Sequence, residues 1–162
     1  MQSELLESLA IWLKSTALSA YIAGGWTWAI CETLHFFGLC LLIGSIGMLD
    51  LRLLGVAKKL PVGPIHQLIP WGMFGFALCI ISGALFVTGD PDSFLQRDTF
   101  QLKMLFVLLA GINVLIFYLF MFREVEALGP GDDAPFRAKA VAATSLFLWF
   151  AVIYYGRLLG VA

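Results

Sequence analysis

Charge is what this sequence has least of. Only 13% of its 162 residues are Asp, Glu, Lys or Arg, against about 25% in an ordinary soluble domain. A water-facing shell around a globular core is therefore not expected, and the length allows one domain, 1–162. A net charge of −1 offers no basic surface, so nucleic acid is not an expected partner. Cysteine is scarce as well. Cys31, Cys40 and Cys79 are irregularly spaced and form no CxxC, which argues against a disulfide framework or a zinc ribbon and leaves them as small buried hydrophobes. The first 25 residues lack a basic stretch, and Glu4 and Glu7 stand where a cleavable leader would carry positive charge, so insertion is expected to rely on the first span itself. No Gly-rich phosphate loop, Ser/His/Asp set or nucleophile elbow occurs. An enzyme with its own soluble substrate site is not expected.

What the chain has instead is long apolar runs. It is 60% hydrophobic with a mean hydropathy of +0.91. Four segments, 26–49, 68–88, 102–122 and 140–159, meet the requirement of about 20 apolar residues for a membrane-crossing helix. Residues 3–18 repeat Leu5, Leu6, Leu9, Trp12 and Leu13 at helical spacing opposite Glu4, Glu7 and Ser8, the pattern of an amphipathic helix lying in the interface. The connections carry Pro61, Gly63 and Pro64, then Gly89 and Pro91, then Gly129, Pro130 and Gly131, strong breakers of helix. Short loops make sequential spans antiparallel neighbours. The expected fold is all-α, an integral membrane four-helix up-down bundle with an N-terminal interfacial helix, in contact with the lipid bilayer. Arg52, Lys58, Lys59, Arg123, Arg137 and Lys139 fall at one end of the spans, and Lys14, Arg97, Lys103 and Arg157 at the other. The excess places the first and third loops in the cytoplasm and both termini on the periplasmic side.

Inside the first span, Glu32 and His35 interrupt the apolar run. Three residues apart, they share one helix face. An ionisable group at the bilayer centre costs at least about 2.5–3.5 kcal/mol, so it normally faces a bundle interior, a cavity or a cofactor. Glu-x-x-His is the ligand spacing of di-iron bundles, but those need a second such motif and two more glutamates, and the other spans hold no acidic residue. Haem needs one or two axial ligands, cations for its propionates and apolar walls. His35, Lys103, Arg157 and the 14% aromatic content can supply these. The expectation is haem b with His35 as iron ligand and Glu32 orienting its imidazole. Copper is the alternative cofactor. In a third reading His35 simply bonds Glu32 or a hydroxyl such as Ser82 as a packing pair.

Depth separates the two histidines. At 1.5 Å per residue, His35 lies roughly 7 Å to the outer side of mid-span and His66 roughly 15–18 Å to the inner side. They cannot clamp one iron, so either there are two cofactor sites, giving one or two haems per chain, or His66 is a loop histidine. Lys103 and Arg157 sit at outer depth and either meet a cofactor or snorkel to the surface. Asp50 and Arg52 read as a solvated pair near a helix end, Asn113 as amide glue between helices, and the scattered methionines as packing.

The stretch Glu32-Thr33-Leu34-His35-Phe36-Phe37-Gly38, then Leu49-Asp50-Leu51-Arg52-Leu53-Leu54-Gly55, with His66, Pro70-Trp71, Lys103-Met104 and Gly156-Arg157, resembles a widespread family of small bacterial four-span proteins of unassigned activity. At fold level that family is similar to copper-resistance D-type membrane proteins and small membrane cytochromes b. The resemblance implies a bacterial inner membrane and haem or copper as cofactor. It draws His66, Trp71 and Tyr118 into the candidate cofactor-binding set, because many members end the third span with a histidine around where this chain has Tyr118. Electron transfer or redox sensing with an unidentified redox partner is the expected task, and a cofactor-free scaffold subunit the alternative from another class. Small residues on the first two spans offer faces for close approach, and a cyclic homo-oligomer, dimer or trimer, is expected to cover a haem edge.

Overall fold

In a computed structural model, which describes residues 2–160, the polypeptide is helical throughout its long segments. Residues 1, 161 and 162 of the expected domain lie outside the described residues. The elements are α1 (Gln2–Lys14), α2 (Ala17–Ala23), α3 (Gly25–Leu54), α4 (Val62–His66), α5 (Ile69–Gly89), α6 (Pro91–Leu95), α7 (Asp98–Phe120), α8 (Phe122–Val125) and α9 (Phe136–Leu158). Among the described residues four segments are long and apolar enough to cross a membrane: α3, the run Val62–Gly89 that ends in α5, α7 and α9. At 30 residues, α3 extends about 45 Å, longer than the roughly 30 Å hydrocarbon layer, so its last turns stand clear of the apolar zone. Every span carries outward apolar side chains, among them Phe36, Ile80, Leu108 and Phe150, the surface a bilayer solvates.

The N-terminal segment breaks where one interfacial helix was expected. Thr16 caps α2 by accepting a hydrogen bond from the Ser19 N–H at 3.2 Å while its hydroxyl donates to the Leu13 carbonyl at 2.6 Å. A side chain that serves both helix ends competes with the main-chain ladder and stops it there. α1 keeps Leu5, Ile11 and Trp12 exposed and is tied to α6 by the Lys14–Asp92 ion pair. Ile22 of α2 packs under Gly89 at the end of α5. These elements cap one end of the bundle.

α3 and α5 approach closely because glycine faces glycine. A Cβ added at Gly75 would stand 2.5 Å from the Gly38 carbonyl oxygen, and one at Gly38 2.7 Å from that of Gly75. Ser45 packs on Gly72 in the same seam. The small-residue faces expected to meet a neighbouring chain are thus largely used within this one. α7 packs on α9, and α9 on α3, but α5 and α7 make little direct contact. Sequential spans are neighbours in two of three cases; between the second and third, the bundle is left cleft.

The opposite end is stapled by Arg52, whose side chain is completely buried. Its guanidinium donates to the carbonyls of Leu60, of Asp132 at 3.2 Å and of Gly129 at 2.8 Å. One cation therefore holds the first and third loops together, helped by the Gly131 N–H to Lys58 carbonyl bond at 2.8 Å. Gly55 ends α3 at φ 95°, a left-handed cap that favours glycine. Beside it Asp133 lies 2.8 Å from both Lys58 and Lys139. These two ammonium groups hold its carboxyl at about 2, below the usual 3.8.

Candidate functional site

His35 lies half-buried on the α3 face that meets α5. Its Nδ1 is 2.8 Å from the Ser82 hydroxyl oxygen. That hydroxyl's own proton is directed to the Leu78 carbonyl, 2.6 Å away, a common use for serine within a helix. Ser82 must therefore accept from His35, which places the imidazole proton on Nδ1 and leaves a lone pair on Nε2. Nε2 has no hydrogen-bond partner among the described residues. This is the tautomer of a metal-ligating histidine, in which the second nitrogen is fixed by a hydrogen bond and the first is free.

Around the ring the walls are aromatic. Phe86 meets it edge-on with centroids 5.5 Å apart, and Trp28 lies 5.0 Å from Phe86. On α5, Gly83 leaves one ring edge uncovered, since a Cβ there would stand 4.0 Å from Cε1. Lys103 of α7 runs beside Gly156 of α9, close enough to His35 and Cys79 to interact electrostatically with both. It is half-buried and forms no ion pair among the described residues. A cation held among apolar helices without a counter-charge is costly. Four spans thus contribute to one neighbourhood, with a free nitrogen lone pair and an unpaired ammonium.

The other expected site residues divide by position. Glu32 is exposed and accepts from the Trp28 indole N–H at 3.3 Å. No hydrogen bond joins it to His35 among the described residues, and the orienting hydrogen bond comes from Ser82. Arg157 is exposed near the end of α9 and pairs with no carboxylate among the described residues. His66 closes α4 at the stapled end, where its Nε2 meets the Tyr118 hydroxyl at 2.9 Å and its ring lies 4.5 Å from that of Phe122. His66 and Tyr118 are brought together, away from His35. Trp71 is 59% exposed and has no ring contact with either among the described residues. No group of three or more His, Cys, Asp or Glu able to hold a metal occurs among the described residues.

Asp50 and Arg52 do not form the solvated pair the sequence suggested. Two residues apart on a helix, they face opposite sides. Arg52 turns to the loops, and Asp50, 6% exposed, turns inward to a hydrogen bond with Ser145 of α9. Asn113 donates to the Val141 carbonyl at 3.2 Å, the expected bridge between helices. Asp50, Asn113, Ser145 and Trp149 line an otherwise apolar cavity of about 510 Å³ among the four spans. Sequence reasoning missed it. The signal was there in the spacing of Val141, Ser145 and Trp149, which repeats every four residues along one face of α9.

Neither comparison with curated proteins nor comparison with solved structures gives a match. A family model matches residues 10–162, nearly the whole chain. The protein belongs to the family described as family of unknown function (DUF6644).

Proposed function

We propose that this chain is a membrane-embedded b-type haem protein serving electron transfer or redox sensing. The observation that carries the reading is the free Nε2 of His35, whose tautomer is set by the 2.8 Å bond to Ser82. The donor chemistry of His35 would suit a haem iron, which needs no cluster of protein ligands. Lys103 supports the same assignment as an unpaired cation beside His35, suited to a propionate. Phe86 and Trp28 give the apolar aromatic surround. A haem held there supplies reversible one-electron exchange. The protein's own part is to fix the imidazole through Ser82, exclude water with Phe86 and neutralise a carboxylate with Lys103.

This reading assigns one haem to each chain. His66 already engages Tyr118 through Nε2, which favours a structural role for it over a second site. The excess of Lys and Arg at the stapled end supports a cytoplasmic position for that end in a bacterial inner membrane, with both termini periplasmic. A homo-oligomer, dimer or trimer, remains part of the proposal. Haem analysis of membranes from haem-replete cells tests the reading: one haem per chain supports it, and a haem-free protein overturns it.

A further inference from the structure

The cavity at Asp50 lies outside the His35 neighbourhood, and neither His35 nor Lys103 is part of its wall. Its volume of about 510 Å³ falls within the roughly 300–1,000 Å³ of small-molecule sites. One face of each long helix lines it. Lining residues Met73 and Ile80 on α5 and Tyr118 on α7 are exposed, and α5 barely touches α7, so the cavity is reached sideways, from lipid.

Two residues of that wall each carry a polar atom with no partner among the described residues. The Oδ2 of Asp50 and the Nε1 of Trp149 are buried and unbonded, and each side chain is 6% exposed. Asn113 and Ser145 are already engaged by protein groups. Buried polar groups are normally paired, so an unpaired acceptor and an unpaired donor in one cavity mark a place for a ligand. Trp149 stands one helical turn from Ser145, which holds Asp50 from the facing helix α3. The wall contains no Lys or Arg, and an anionic headgroup would meet the Asp50 carboxyl uncompensated.

We infer that this cavity binds a lipid-soluble molecule whose head carries a hydroxyl, an alcohol or hydroquinone, with an apolar tail leaving between α5 and α7. A hydroxyl can both donate to Asp50 and accept from Trp149. The inference does not depend on the haem assignment.

The test uses the full chain in nanodiscs and two probes of equal apolar body, decylhydroquinone and its dimethyl ether. The expected result is that the hydroquinone binds and the ether binds at least about fivefold more weakly, the worth of one hydrogen bond. Trp149→Phe should weaken both probes about fivefold, because the ether oxygen also accepts from the indole N–H. Gly111→Leu fills the cavity from a position where an added Cβ meets nothing within 4 Å, so it should fold and lose both probes. Equal affinity for the two probes, no measurable binding of either, or full binding by folded Gly111→Leu would each overturn the inference.

Discussion

Gly75→Ala puts the link between helix packing and the His35 site under direct strain. The added Cβ would lie 2.5 Å from the Gly38 carbonyl oxygen and 2.8 Å from both the Leu41 Cβ and the Leu42 nitrogen. These are backbone and near-backbone atoms, with no flexible side chain to swing aside. Moving from 2.5 Å to the 3.4 Å at which ordinary contact begins requires α3 and α5 to separate by about 0.9 Å. Overpacking of this kind costs about 1–3 kcal/mol. A rigid separation of that size would also stretch the His35–Ser82 bond from 2.8 Å beyond hydrogen-bonding reach. The assay pairs unfolding in mild detergent with ¹⁵N imidazole shifts of His35. Gly44→Ala, on the partner helix α3, is the control, because a Cβ there meets nothing within 4 Å. Gly75→Ala should lose stability and the fixed Nδ1–H tautomer, whereas Gly44→Ala should keep both. A Gly75→Ala protein as stable as the control, with an unchanged imidazole spectrum, would refute the reasoning.

Arg52→Met should destabilise the stapled end by about 4.5 kcal/mol or more, since hydrogen bonds from a charged group are worth about 1.5–3 kcal/mol each and three carbonyls lose theirs; limited proteolysis should then cut the first and third loops early. Ser82→Ala removes the acceptor that fixes the His35 proton and should change haem retention or midpoint potential at least as much as Glu32→Gln, which is measured by redox titration. The Asp133 carboxyl is held at about 2, below its unfolded value, so its bridge to Lys58 and Lys139 contributes above pH 4 and is lost as pH falls through 2. Asp133→Asn should abolish that acid-dependent loosening of the third loop, read by proteolysis at pH 4 and pH 2 with an acid-stable protease.

The four spans were legible because lipid demands unbroken apolar runs of a known length, and α3, α5, α7 and α9 each supply one. The break at Thr16 was not, because Ser15 and Thr16 also fit the polar face of a continuous amphipathic helix. His35 stood out as an imidazole in an apolar span, but its partner was open between Glu32 and Ser82; only the packing of α3 on α5 decides a contact 47 residues apart in sequence. Lys103 was recognised as a cation at the right depth, and its lack of a counter-charge needed the whole bundle. Asp50 was misread for a reason sequence could have avoided. Two residues of separation turn it away from Arg52, and that alone argues against a pair. The cleft between α5 and α7 had no sequence signal, since loop length fixes only which spans are consecutive.

The most direct measurement is the visible spectrum of the detergent-purified protein from haem-replete cells, taken for the wild type and for His35→Ala. The account expects a Soret band at one haem per chain that is lost or shifted in His35→Ala and unaffected by His66→Ala, with the four-helix fold retained in all three. A wild type without a Soret band, or a His35→Ala protein that keeps its full haem with an unchanged spectrum, would contradict it.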